Sequence, residues 1–346
     1  MRRKQHSFLY KLGYFINSIF AFLLLLAFVI PYIKPERLGG FAGISLLTPV
    51  LMLINLAFMV FWLIKLSRTF FLSFFILALG FPNLSRLYKL SGKKNLLLDD
   101  IKVMSYNVRL FNKYKWIEQD SIPYKIASLI ERKAPDILCL QEYESNTGIE
   151  NYFPYKHIVY SDKTKHLGQA IFSKYKIIKA GSLDFKHTGN NILFADLAID
   201  TDTVRVYNVH LQSLKINAKK ENFGEKNTAK LRKRISDAFL IQQHQIEKLK
   251  AHLKSVKNQI IIAGDFNNTA FSWTYRQLLK GRKDAYVEAG KGFDRTYDFS
   301  FPIRIDFIMV DKKVKINHFI AYTKKYSDHF PIMARIDRAS LLKNKP

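Results

Sequence analysis

Twenty-two uncharged residues, LGYFINSIFAFLLLLAFVIPYI, separate Lys11 from Lys34, and twenty-seven more, LGGFAGISLLTPVLMLINLAFMVFWLI, separate Arg37 from Lys65. A helix needs about 20 apolar residues to cross a bilayer, so each run is long enough. A third stretch, Thr69 to Ser85, has 17 uncharged residues but includes Pro82 and Asn83. A soluble helical domain would struggle to bury three such runs. The first run is too long for a cleaved signal peptide, and no small-residue cleavage site precedes a soluble domain. Residues 1–87 therefore read as an anchor of two or three transmembrane helices, at about 12–33, 38–64 and 69–85.

With three spans, basic residues divide six and six between the two sides, so flanking charge does not set the orientation. The first helix usually dominates, which puts the N-terminus inside and the C-terminal domain outside the cytoplasm. With two spans the same start leaves that domain inside. The expected location is a bacterial inner membrane.

The chain carries +27 in all: +11 up to Leu98 and +16 beyond it. Both parts favour anionic partners such as phosphate esters, nucleic acid or acidic lipid headgroups. The single cysteine, Cys139 in DILCLQE, reads as a small buried hydrophobe, and one cysteine excludes an internal disulfide.

YKLSGKKNLLLDD (88–100) has the composition of a short linker. From Ile101 the pattern changes to short apolar runs: IKVMSYNV, DILCLQE, QAIFSK, LFADLAI, VRVYNVHL, QIIIAGDF, RIDFIMV and PIMARID. All read as strands. One helix is expected from about Ser121, with Ile122, Ile126, Leu129 and Ile130 on one face. A second spans roughly 228–253, with Leu231, Ile235, Phe239, Ile246, Leu249 and Leu253 at helical spacing. Many strands with few helices point to an α/β domain of packed mixed sheets over 101–338, followed by a basic tail at 339–346.

Polar residues recur at the ends of these runs: Asn107, Glu142, Asn208, His210, Asp265, Asn267, Asp306, and Asp328 with His329. A lone carboxylate is costly to bury unless it is paired or binds metal. Carboxylates and imidazoles delivered by core strands therefore point to one site. A divalent ion held by one or two carboxylates is typical of Mg²⁺ and suits phosphoryl transfer.

SYNVR, CLQE, GQAIFSK, NVHLQS, GDFNN, RIDFI and SDHFPI, in that order, resemble the endonuclease/exonuclease/phosphatase superfamily across residues 101–337. The resemblance implies a four-layered α/β/β/α sandwich of two mixed sheets and a Mg²⁺ (or Mn²⁺) cofactor. It implies metal ligation by Glu142, with Asn107 beside it, and by Asp328. It implies that Asp265 aligns and activates water and that Asn267 orients the phosphate or the nucleophile. His210 and His329 would contact phosphate, with Asp306 pairing with His329. Asn208 is a weaker candidate for substrate binding, because an Asn at a strand end is often a turn residue.

The N-terminal spans add a likeness in layout to bacterial membrane proteins of the vancomycin/teicoplanin-resistance type, which act on polyprenyl pyrophosphate carriers. The expected function is a membrane-anchored phosphoesterase acting on a phosphate ester, phosphodiester or pyrophosphate, lipid-linked in one version. A membrane-tethered DNA or RNA nuclease fits the same motifs. A non-catalytic phosphate- or lipid-binding module is the reading from another class. The strongly basic run 214–234 suits a phosphate-rich substrate or lipid surface, or a plain solvated face. The family's DNA-repair members place a tyrosine near the phosphate, and NYFPYKHIVY (151–160) offers several that do not align with it. His166 reads as a loop residue, His244 and His252 as surface positions, and Trp273 as packing at a helix start.

Overall fold

The computed structural model describes residues 7–145, 148–161, 164–185, 188–216 and 225–342. The apolar start folds into α1 (Phe8–Val29) and α2 (Thr48–Ile64), with short helical turns between them. Together with those turns, Phe8–Tyr32 and Pro35–Ile64 are long and apolar enough to cross a membrane. The third stretch is different. It forms α3 (Phe70–Leu79) and a separate turn, Phe81–Leu84. Ten residues reach about 15 Å, half of a ~30 Å hydrocarbon core. The break falls at Gly80, where a Cβ would lie 2.2 Å from the Phe28 ring of α1. The three helices share a buried polar tie: Ser73 Oγ lies 2.7 Å from Asn17 Oδ1 and 3.3 Å from Asn55 Oδ1.

Residues 88–100 are not a free linker. Tyr88–Lys89 pairs with Gly292–Phe293, and Asp100 is buried against Arg335 (3.1 Å) and Asn317 (2.7 Å). The chain is therefore fastened to the domain along the segment whose composition suggested slack.

Twelve strands then build two sheets. In chain order they are β1 (Ile101–Asn107), β2 (Ile137–Tyr143), β3 (Tyr155–Ser161) and β4 (Thr164–Ser173). Next come β5 (Lys176–Ser182), β6 (Ile192–Ile199), β7 (Asp202–His210) and β8 (Gln259–Asp265). The last are β9 (Arg282–Asp284), β10 (Asp306–Asp311), β11 (Ile316–Ala321) and β12 (Ile332–Ile336). One sheet is ordered β11-β12-β1-β2-β4-β3 and the other β9-β10-β8-β7-β6-β5. Each has one parallel pair at its centre, β1 with β2 and β7 with β8, and antiparallel neighbours elsewhere. Both sheets are mixed, as expected.

Strand alternation explains the layering. Val103, Ile137, Cys139 and Ile171 of the first sheet face Leu193, Ala195, Val206, Ile261 and Ala263 of the second in one inner core. Met104, Leu138 and Leu140 turn outward under Ile122, Ile126 and Ile130 of α4 (Ile122–Lys133). Tyr207, Val209, Ile260 and Ile262 turn outward under Ile246 and Leu249 of α5 (Glu225–Lys254). Helix, sheet, sheet, helix is the result. Leu341 is buried in the inner core, so the domain runs past 338; residues 343–346 of the expected tail lie outside the described residues. His166 lies on β4 rather than in a loop. His244 is exposed, whereas His252 is half-buried and bonds Tyr207 Oη at 2.8 Å. Trp273 packs at the start of α6 (Trp273–Leu279), which Ser272 caps.

The apolar N-terminal segment is docked on the domain rather than hung from it. Phe271, four residues beyond Asn267, packs among Leu24, Ala27, Leu51 and Met52. Lys34 and Glu247 pair at 2.8 Å, and the Arg276 guanidinium lies 3.5 Å from the centre of the Tyr32 ring.

Candidate active site

Strand register alone assembles half of the site. His210 ends β7 and Asp265 ends β8, and the parallel register sets them side by side. Asp306 opens β10, which runs antiparallel, so its first residue pairs with Asp265. The sequence pattern suggested a strand end for Asp306; a strand start serves equally because the direction is reversed. Gly264 permits the close approach here. Its φ is +146°, and a Cβ would meet the Val209 carbonyl oxygen at 2.0 Å.

Glu142 reaches the site through an irregularity. Leu138 and Leu140 face outward, and so does Tyr143, where strict alternation would have sent residue 142. The β2–β4 register shifts between Leu140 and Tyr143, and Glu142 has φ +49°. The bulge re-aims its carboxylate toward Asn107, whose Nδ2 lies 3.2 Å from both Glu142 Oε1 and Asp265 Oδ2. A non-glycine residue with positive φ costs free energy, and such residues cluster at functional sites. Asn267 shows the same feature at φ +48°.

His329 stands between two carboxylates. Its Nδ1–H donates to Asp306 at 3.0 Å, and its Nε2 lies 3.6 Å from Asp265 Oδ2. Burial alone would lower the affinity of this ring for a proton, but Asp306 and Asp265 reverse that and hold it well above its usual value. His210 is the opposite case. Burial and the charge of His329 push it down to about 3, so the ring is neutral. Its Nε2 lies 3.8 Å from Asp265 and 3.9 Å from Glu142.

Asp265 is fully buried, and burial raises its carboxyl above the ordinary range. It accepts from the Asn267 amide N–H at 2.7 Å and from Asn267 Nδ2 at 3.1 Å, while Nδ2 also donates to Leu211 O at 2.9 Å. Glu142 is raised by burial and by the neighbouring Asp328 charge. Asp328 is half-buried and pairs with Arg109 at 3.3 Å. Ser327 Oγ donates to the Asn107 carbonyl at 2.9 Å, which fixes the Asp328–His329 corner against β1.

Eight of the nine expected residues thus meet in one cleft region. Asn208 does not. It is fully buried, its Nδ2 donates to Leu140 O (2.8 Å) and Ala170 O (2.9 Å), and its Oδ1 accepts from Gln141 (2.7 Å). Its carboxamide ties the two sheets together and offers no donor to a substrate. Two neighbours were not found from the sequence. Tyr297 sets its ring 5.0 Å from that of His329, and burial and Asp328 push its hydroxyl up to about 12. Arg109, the partner of Asp328, also lies over Trp116 at 4.2 Å. Neither ends an apolar run; the tyrosines of 151–160 belong to β3 and its approach.

Ligand atoms of Asp265, Asp306 and His329 all lie within 4.8 Å of one another, a grouping of types able to hold a divalent ion. Beside it, Asn107 Nδ2 donates to Glu142 Oε1, while Asn107 Oδ1 accepts from the Arg109 N–H at 3.1 Å.

A family model described as Endonuclease/Exonuclease/phosphatase family matches residues 104–329. A model described as a domain of unknown function (DUF8431) matches residues 8–87. No curated protein matches. Among solved structures, an endonuclease/exonuclease/phosphatase family protein from Leptotrichia buccalis aligns at TM-score 0.51 and 20% identity, over 68% of this chain and 99% of that one. The endonuclease/exonuclease/phosphatase from Bacteroides vulgatus gives 0.52 and 18%, over 69% and 98%. The family protein from Bacteroides thetaiotaomicron gives 0.50 and 18%, over 71% and 98%.

Proposed function

The chain belongs to the endonuclease/exonuclease/phosphatase family and is a metal-dependent hydrolase of phosphate esters, and on that footing we propose a membrane-anchored phosphoesterase whose ion sits on the Glu142 side of the cleft. The observation that carries this reading is the contrast between the two carboxylate groupings. His329 Nδ1 is taken by Asp306 at 3.0 Å and its Nε2 faces Asp265 at 3.6 Å, a mutual pairing that an ion bound there would have to break. Glu142 instead faces the negative charge of Asp328, a repulsion that a divalent cation would relieve.

The donors on that side are the carboxylate of Glu142 and the carboxamide of Asn107, with Asp328 near them. Hard oxygen ligands suit Mg²⁺ or Mn²⁺. When bound, the ion supplies charge neutralisation at the phosphate oxygens and the leaving oxygen. The protein's own groups divide the remaining work. Asp265, with its raised proton affinity, is suited to orient water and take its proton. Asn267 and Asn107 fix the orientation of that carboxylate through their hydrogen bonds. The His329 imidazolium faces the phosphoryl oxygens, and Asp306 holds its Nδ1–H. The neutral His210 ring can donate one further hydrogen bond. Water oxygen bonds to phosphorus, the bond from phosphorus to the leaving oxygen breaks, and the leaving group takes up a proton.

Anchoring is supported by how little of the apolar helices is covered. In their most apolar windows, 28% of the first span and 33% of the second is buried, where the core helix of a soluble protein would be mostly buried. Tethering would raise the local concentration of a membrane-borne substrate. Full-length protein with Mg²⁺ should hydrolyse bis(p-nitrophenyl) phosphate; chelation and Glu142→Gln should each lower turnover by at least ~10²-fold. Undiminished turnover in Glu142→Gln would remove that residue from the mechanism.

A further inference from the structure

A cleft of about 600 Å³ opens from the site, and its far wall is not part of the catalytic domain. It is lined by Glu142, Asp265, Asp328 and His329 of the site and by Gly43, Ile44, Leu46, Leu47 and Val50 of the N-terminal segment. Those last residues lead into and begin α2, within Pro35–Ile64, the second stretch long and apolar enough to cross a membrane. Ile216, Ile235 and Ile303 add aliphatic lining, and Phe271, Phe299 and Phe301 add aromatic lining. Leu47 and Val50 remain 52% and 41% exposed.

Resting on the phosphoesterase reading, we propose that the substrate is a phosphorylated amphiphile. Its phosphate meets the Asp265–His329 end, and its hydrocarbon tail lies in the cleft between the anchor segment and the domain. The anchor is then part of the substrate site as well as a tether.

Three observations support this occupant. The lining is of two kinds, charged and hydrogen-bonding groups of the catalytic site and apolar groups of the N-terminal segment and its neighbours, which suits a molecule with one anionic end and one apolar end. Arg86, Lys215 and Arg232 also line the cleft and favour an anionic ligand, Arg232 from beside Gly40 of the N-terminal wall. The wall is held in place: Ala42 packs with Leu214, Ala238 and Phe239, and a Cβ on Gly43 would lie 3.2 Å from Ile235. The cleft volume falls in the range of pockets that enclose most of a small ligand.

The test uses full-length protein in lipid nanodiscs with Mg²⁺ and alkyl p-nitrophenyl phosphodiesters of two, four and eight carbons. The leaving group is constant, so only the tail varies. Each buried methylene contributes up to about fourfold in transfer from water, and kcat/KM for the octyl compound should exceed that for the ethyl compound at least tenfold. The ratio should collapse toward unity in Leu47→Trp and, independently, in Val50→Trp, which narrow the cleft from the anchor side. Because the readout is a ratio, a general loss of folded enzyme cancels. Partitioning of long tails into the bilayer would raise the ratio without any cleft, so a preference that survives both tryptophan variants overturns the proposal. Equal kcat/KM for all tails, with nicking of plasmid DNA, also overturns it and favours a nuclease. Binding of octylphosphonate, followed by calorimetry, separates the two readings. If it binds at least tenfold tighter than ethylphosphonate and the tryptophan variants abolish the difference, the tail site stands even with turnover absent, and the phosphoesterase reading alone fails.

Discussion

The two sides of the cleft solve the burial of charge in opposite ways. On the side of the second sheet, Asp265, Asp306, His210 and His329 are all buried, and register and short contacts compensate them internally. On the side of the first sheet, Glu142 and Asp328 are only half-buried, face one another, and owe their position to a bulge and an Arg109 pair. One side is complete as a set of protein groups. On the other, Asp328 is paired with Arg109 and the Glu142 carboxylate accepts from the neutral Asn107 amide. The difference is what the proposed reading rests on: the mutually paired side would meet the phosphate, and the Glu142 side would take the ion.

The largest effect should come from breaking the complete side. Asp306→Asn leaves the His329 charge buried without its nearest partner, and losing one member of a buried pair costs about 3–5 kcal/mol. Chemical denaturation should show that loss, and the same variant should lose most of its turnover. Asn208→Ala would also act through stability, by removing bonds between the sheets, but more weakly.

A smaller effect should appear with pH. The folded-state proton affinity of His329 is raised above its unfolded value near 6.5, so the pair's contribution to stability is fully present below that pH. It is lost as pH rises through the folded value, which lies well above 6.5. Denaturation midpoints should therefore fall on the alkaline side in the wild type, and that slope should flatten in Asp306→Asn. Turnover should decline over the same alkaline window as the ring loses its charge.

Much of this was legible in the sequence because the signals are local. An apolar run that ends in Asp, Glu, Asn or His announces a core strand with a polar terminus, and Asn107, His210 and Asp265 were found that way. The apolar faces of α4 and α5 were readable from helical spacing. What the sequence did not carry depends on neighbours distant along the chain. The bulge at Glu142 exists only relative to β4, and Tyr297 comes from a loop that no periodicity marks. Residues 88–100 looked loose by composition, yet Asp100 finds Arg335 and Asn317 more than two hundred positions away. The third apolar stretch matched a span in the absence of charge but not in continuity, because Gly80 packs on Phe28 and Pro82 follows. Asn208 satisfied the strand-end rule and still proved structural, since its side chain points between the sheets.

Binding of Mn²⁺, followed by the loss of its free-ion paramagnetic resonance signal, tests the assignment of the two sides most directly. The wild type and His329→Ala should bind the ion with similar affinity, and Glu142→Gln should lose at least tenfold. Retained binding in Glu142→Gln, with loss in His329→Ala, would move the ion to the Asp265–Asp306–His329 grouping and contradict the account.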